Sequence, residues 1–251
     1  MHPILFKIGA LSVYSYGVMI AMGFIIAVYL VSKNPTPFGL TQEDVVDLSL
    51  YILIGGIIGA RIMYILLNLD YFVKNPLEVF YLSRGGLVYY GAFAGGVVAM
   101  ILGTRNKKIS FLRAADLFAP YLALAQGVGR IGCFLNGCCY GREVSATFPF
   151  KVCFPGSAVA RHPTQIYSSL VLVLLFLMLK SFQPRRRFSG EIFMIYCALY
   201  SFQRYFMEFL RGDNTVFMLN MTISQAVSVV LFIGSSIAWA VFFARWKNTH
   251  L

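Results

Sequence analysis

Charged residues are scarce in this chain, at 12% of 251 positions where an ordinary soluble protein carries about 25%. Hydrophobic residues make up 59%. That balance excludes a soluble globular domain and leaves a multi-span membrane protein. The net charge of +11 would suit a nucleic-acid binder, yet no basic soluble segment carries it, and no nucleic-acid partner is expected. The chain also lacks a nucleotide, metal or redox-cofactor motif, so no cofactor is expected.

Cysteine is sparse as well. Cys133, Cys138, Cys139, Cys153 and Cys197 are too few, in too apolar a context, for a disulfide scaffold. The spacing Cys133-x4-Cys138-Cys139 is not a standard zinc pattern. Buried thiols, one incidental bridge and a metal site remain open alternatives. Histidine is limited to His2, His162 and His250, so imidazole bases are in short supply. The first apolar run, from Leu11, has no A-x-A cleavage site after it and reads as a retained span. No internal repeat is evident, which weakens a transporter built from inverted repeats.

What the chain does have is apolar length. Stretches at about 11–31, 45–67, 86–103, 117–135, 166–182, 192–210 and 223–243 approach the roughly 20 residues that cross a bilayer. They predict an all-α polytopic protein with about seven transmembrane helices and one transmembrane domain over residues 1–251. A longer excursion at 136–165 is expected to face outward. Orientation follows from the loop cations. With the N-terminus outside, inner loops hold Lys33, Arg105, Lys107, Lys108, Arg113, Lys180, Arg185, Arg186, Arg187, Arg245 and Lys247. Outer loops hold Lys7, Lys74, Arg84, Arg142, Lys151, Arg161 and Arg211. The bias predicts N-out, C-in. Binding of anionic lipid by these clusters is the alternative to a topological role.

Three cations fall inside or at the ends of the spans: Arg61, Arg130 and Arg204. A charge at mid-bilayer costs roughly 2.5–3.5 kcal/mol on the mildest scale, so such residues face a cavity or a partner. Glu208 lies one helical turn from Arg204 and can pair with it. For Arg61 and Arg204 a structural ion pair stands beside a functional role. Arg130 has no acidic neighbour in sequence, and it sits in "GVGRIGCFLNGCCYGR", residues 127–142. Dense glycine there suggests irregular backbone lining a cavity, whose free N–H groups would bind an anion beside the guanidinium. The anion abundant in a bilayer is a phospholipid phosphate. Close helix packing is the plainer reading of glycine, and Gly91-xxx-Gly95 suits it.

That stretch resembles the signature of the bacterial prolipoprotein diacylglyceryl transferases, roughly G-x-G-R-x-G-x-x-x-N-G-x-x-x-G, with Arg130, Asn136 and Gly141 on matched positions. "YSYGVMIAMGF" resembles the family's first span, "GGLVYYGAFAGG" its third, "RHPTQIYS" its return from the outer loop, and "YSFQRYFMEFLR" its sixth. The resemblance implies transfer of the diacylglyceryl group of phosphatidylglycerol to the lipobox cysteine of a prolipoprotein signal peptide, releasing glycerol 1-phosphate. It implies that Arg130 binds the lipid phosphate with Asn136, Gly141, Glu208 and His162 on the substrate side. Arg204, Tyr200, Tyr16 and Tyr90 would line the reaction cavity as its catalytic set.

The sequence departs from the best-studied members at four places. Tyr90 and Ala92 stand in a Phe-His-Gly-Gly motif, Cys133 replaces an asparagine, and Ser168 replaces a glutamate. The first departure puts in doubt any mechanism that needs an imidazole there. Either Tyr90 or His162 is left to handle the thiol proton; a protonated phenol is a poor base, and His162 reads first as a residue fixing a His-Pro turn. Tyr16, Tyr90 and Tyr200 divide between function and packing, whereas Tyr89, Tyr196 and Tyr205 are expected at the membrane interface. A related lipid-group transferase with another acceptor, or a lipid-binding or transport protein, would use the same buried cations.

Overall fold

Apolar sequence too long for a strand, with few breakers, folds as helix, and each of the seven stretches contains one. The computed structural model describes residues 2–8, 11–81, 85–145, 147–154, 159–212 and 221–250. Arg84, counted above among the loop cations, lies outside the described residues, as does the side chain of Tyr89. The helices are α1 (Ser15–Val31), α2 (Gln42–Leu67), the short α3 (Leu69–Lys74), α4 (Tyr89–Asn106), α5 (Phe111–Asn136), α6 (Thr164–Phe182), α7 (Glu191–Leu210) and α8 (Ile223–His250).

Among the described residues, three helical segments are long and apolar enough to cross a membrane: Gln42–Leu67, Thr164–Arg185 and Ile223–Thr249. Ser15–Val31 is a shorter apolar helix. The expected first span began at Leu11, but the helix starts four residues later. Leu11–Tyr14 instead forms a strand, β2, paired antiparallel with β1 (Ile4–Ile8). Alternation of Leu11, Val13 with Ser12, Tyr14 suits a strand, and the apolar count alone hid it. A second two-stranded pair, β3 (Val152–Cys153) with β4 (Ala160–Arg161), lies within the 136–165 excursion. Among the described residues the architecture is therefore helical with two small two-stranded pairs.

The chain divides into two compact units, Ser32–Ala114 and the remainder, Met1–Val31 with Ala115–Leu251. In the first of these, α2 packs on α4 through glycines. A Cβ at Gly59 or Gly95 would collide with backbone of the opposite helix, so Gly91-xxx-Gly95 meets a matching Gly55-xxx-Gly59. Dispersion and close backbone approach hold such a pair where lipid removes the hydrophobic drive. Thr41 and Asp44 form a reciprocal capping box at the start of α2. Lys107, just past α4, bridges Asp47 at 2.7 Å and Asp44 at 3.1 Å. Those carboxylates hold its ammonium above the ordinary lysine range.

Arg61 is buried in this unit. Backbone carbonyls stand where the ion-pair reading would have put a carboxylate: Nε donates to Val79 O at 3.0 Å, Nη1 to Gly85 O at 2.9 Å, and Nη2 to Glu78 O. The guanidinium also lies over the rings of Phe72 and Tyr64, at 5.4 and 5.6 Å. Carbonyl dipoles and ring faces thus take the place of a counter-ion.

In the other unit, Ala119 and Ala123 of α5, Leu172, Leu175 and Leu179 of α6, and Ile192 and Tyr196 of α7 form a buried cluster. Tyr196, expected at the membrane interface, is buried there instead and donates to Gln126 Oε1 at 2.9 Å. Asp116, wholly buried, accepts from the N–H groups of Gly190 at 2.7 Å and Phe193 at 2.9 Å, capping α7 from another helix. Two of the basic-cluster cations are tied to protein: Lys180 Nζ donates to Tyr121 Oη at 2.7 Å, and Arg187 pairs with Glu191 at 2.9 Å.

Candidate active site

The signature arginine sits on regular helix. α5 runs unbroken through Gly127, Gly129, Arg130 and Gly132 to Asn136, so the irregular backbone expected around Arg130 is absent, and those N–H groups are committed to the helix ladder. The backbone turns only at Gly137, at φ 74°, and again at Cys139, at φ 61°. There Gly137 N–H donates to Phe134 O and Cys138 N–H to Cys133 O, both at 3.1 Å, in the manner of a left-handed helix cap. The glycines before the turn serve other ends. Gly132 faces Met19 and Tyr16 of α1 too closely for a Cβ to fit without movement, while nothing lies within 4 Å of Gly129.

Beyond the turn, the chain is pinned through its backbone. Gly141 N–H donates to His162 O at 3.0 Å, Arg142 N–H to Leu210 O at 2.8 Å, and Gly212 N–H to Tyr140 O at 3.2 Å. A Cβ at Gly141 would run into His162 and the Leu210 carbonyl, so glycine is required where three segments meet. Gln165 Nε2 and Thr164 Oγ1 reach back to the carbonyls of Cys138 and Cys139, at 2.7 and 2.9 Å. His162 is held by its surroundings: its ring stands edge-on to Phe148 at 4.8 Å, and Nδ1 lies 3.4 Å from Tyr167 Oη.

This packing brings cations together. Arg130 lies within electrostatic reach of Tyr200, Cys133, Cys139 and Arg211, and Arg204 within reach of Arg130, Arg211 and Tyr200. Arg204 has local relief. It pairs with buried Glu208 at 2.8 Å and donates to Ser224 Oγ at 2.9 Å, while Thr222 Oγ1 donates to Glu208 at 2.8 Å. The pairing anticipated from their spacing is present. Arg130 differs: among the described residues it makes no hydrogen bond and no ion pair.

Tyr16, near the start of α1 and 40% exposed, lies within reach of Arg130 and of all three cysteines of the turn. Tyr200 stacks on Tyr196 with ring centroids 5.7 Å apart. Asn136 ends α5 beside the Cys138 thiol. Tyr90 belongs to the other unit, exposed in the first turn of α4. Two features escaped the sequence reading. Arg211, counted as a loop cation, joins Arg130 and Arg204 because the Gly141 loop pairs with it. The sulfurs of Cys133, Cys138 and Cys139 gather within 4.8 Å of one another. All five cysteines are free thiols, so the incidental bridge is not formed.

Apolar helices long enough to cross a bilayer define a membrane protein, here with one buried guanidinium paired and another, Arg130, without a hydrogen bond or ion pair among the described residues. The profile of the prolipoprotein diacylglyceryl transferase family matches residues 3–241, and the chain belongs to that family. It is similar to the phosphatidylglycerol–prolipoprotein diacylglyceryl transferase of Clostridium tetani, 37% identical over 238 residues, covering 93% of this chain and 94% of that one. The second such enzyme of Clostridium perfringens is 35% identical over 96% of this chain and 95% of its own. That of Enterococcus faecalis is 33% identical, covering all of this chain and 93% of its own.

Proposed function

We propose that this protein transfers the diacylglyceryl group of phosphatidylglycerol to the lipobox cysteine thiol of prolipoproteins and releases glycerol 1-phosphate. Family membership and the names of its relatives support the reading. The observation that carries it is Arg130, a half-buried guanidinium with no protein partner among the described residues. A phosphate suits that guanidinium, which can donate two parallel bonds to it and stays protonated.

In this reading the lipid phosphate rests on Arg130, with Arg204 and Arg211 adding positive field. The incoming thiolate attacks the glycerol carbon, the carbon–oxygen bond breaks, and the electron pair leaves with the phosphate. Charge growing on that oxygen is stabilised by fixed cations in a medium of low dielectric. Glu208 fixes the rotamer of Arg204. Tyr16 and Tyr200 contribute hydroxyls near Arg130, Asn136 positions the turn, and Gly141 and His162 hold the loop on the substrate side. Tyr90 is assigned to proton handling by its match to the third-span motif alone. The protein is read as one domain of seven spans, N-out and C-in, in the bacterial inner membrane, with 136–165 facing outward.

The test is rescue. Cells depleted of their own transferase are given this chain and examined for lipidated prolipoprotein by mass. A diacylglyceryl thioether on the peptide is the expected product. A different adduct would transfer the reading to another acceptor. A folded, membrane-inserted chain that yields no product would remove it.

A further inference from the structure

We infer that Cys133, Cys138 and Cys139 form a three-thiolate site for a thiophilic divalent cation of the zinc class, with its fourth position open. The spacing alone argues against a metal, but the fold supplies what spacing does not. Cys133 lies on the last turn of α5, and the left-handed residues Gly137 and Cys139 fold the chain back over it. Cys138 Sγ thereby comes 3.6 Å from Cys133 O, and all three sulfurs fall within 4.8 Å of one another. Tetrahedral zinc, with Zn–S of about 2.3 Å, needs sulfurs about 3.8 Å apart. The approach required is about 1 Å at most, within side-chain rotation.

The supports around the turn favour the same assignment. Its backbone is held from α6 by Gln165 and Thr164, which bind the carbonyls of Cys138 and Cys139; Gln165 and Thr164 are both buried. Such outer contacts fix ligand geometry before a metal arrives. Electrostatics agrees. Three thiolates and a divalent cation sum to one negative charge, and Arg130 and Arg211 lie within reach of Cys139. Among the described residues no carboxylate or imidazole joins the group, so the fourth position is left for an exogenous ligand, as in catalytic rather than structural zinc sites.

The use of that position by a substrate thiol rests on the transfer reading above; occupancy of the three sulfurs does not. Bound there, a lipobox thiol would give up its proton on ligation, to the proton-handling group of the transfer reading. Its sulfur would then form the bond to the glycerol carbon as the carbon–oxygen bond breaks, with the electron pair leaving on the phosphate and the metal unchanged in oxidation state.

The experiment titrates reduced, detergent-purified full-length protein with Co2+. Expected are one tightly bound equivalent, thiolate-to-cobalt charge-transfer absorption, tetrahedral d–d bands, and displacement by Zn2+. Adding β-mercaptoethanol should shift the d–d bands through the open position. Cys133→Ser, Cys138→Ser and Cys139→Ser should each lose the charge-transfer band, whereas Cys153→Ser and Cys197→Ser keep it. Cys139→His, which preserves a ligand, should retain binding with a weaker band. Absence of bands in reduced wild-type protein, or equal bands in the triple serine variant, would overturn the site. A metal-free chain that still lipidates would overturn the use of the metal in transfer and leave the transferase reading standing; a metal-loaded chain that cannot lipidate would uphold the three-thiolate site and remove the transferase reading.

Discussion

Arg204 and Glu208 lie 2.8 Å apart, one turn from each other on α7, with the carboxylate almost wholly buried. The pair neutralises the Arg204 guanidinium, whereas Arg130 makes no hydrogen bond or ion pair among the described residues. Removing one member of a buried pair strands its partner's charge, at about 3–5 kcal/mol, whereas removing both often costs little. Glu208→Gln should therefore lower thermal stability in detergent strongly, and Glu208→Gln with Arg204→Met should recover much of the loss. A double variant as unstable as the sum of the singles would mean that the two residues are not coupled.

Arg130 carries the opposite expectation. With no partner among the described residues, Arg130→Ala should leave the unfolding temperature nearly unchanged. Transfer should fall by on the order of 10²–10³, the usual scale for one lost transition-state donor. Arg130→Lys keeps charge but not the paired donors, and intermediate activity is expected. Lipidation assays on matched amounts of folded protein check both. A fully active alanine variant would take phosphate binding out of the mechanism.

Much of this was legible in the sequence. Helical apolar runs, the i, i+4 pairing of Arg204 with Glu208 and the packing role of Gly95 follow from local periodicity, because each depends on residues within a turn or two. The misses share a cause too. Arg61 is compensated by carbonyls some 17–25 residues away, and a backbone acceptor leaves no trace in residue type. Arg211 joins Arg130 only because the Gly141 loop crosses the end of α7. The cysteines gather through two positive-φ residues, which spacing rules for flat loops do not anticipate. Strand Leu11–Tyr14 was lost in an apolar run whose alternation spans only four residues.

Arg61 offers a test of carbonyl compensation. Arg61→Lys retains the charge but cannot reach acceptors on Glu78, Val79 and Gly85 together. A buried acceptor left unsatisfied costs about 1–3 kcal/mol. Limited proteolysis should then cut the segment from Pro76 to Gly86 faster in the variant. Unaltered cleavage would show that the carbonyls are satisfied without the guanidinium.

The helix pair α2–α4 makes a prediction with its own control. A methyl group at Gly95 has no space, since it would overlap Gly55 backbone, whereas Gly234 on α8 has nothing within 4 Å. Gly95→Ala should destabilise by about 1–3 kcal/mol through forced backbone movement. Gly234→Ala should be neutral or slightly stabilising, because alanine narrows the unfolded ensemble. Thermal unfolding of the two variants in the same detergent checks the contrast; equal shifts would refute the close contact.

Tyr90 and His162 divide the remaining chemistry. His162 is clamped by Phe148 and Tyr167, so its ring has packing work that phenylalanine can take over. His162→Phe should keep most transfer activity. Tyr90→Phe, which removes only a hydroxyl from an exposed ring at the start of α4, should lower turnover by roughly 10²-fold if that hydroxyl relays the thiol proton. Tyr90→His should restore it, since an imidazole performs the same transfer as a better base. Turnover measured across pH distinguishes them: the His variant should gain a titration near neutrality that wild type lacks. Should His162→Phe abolish transfer in folded protein while Tyr90→Phe stays active, the proton passes through His162 and the motif-based assignment of Tyr90 falls.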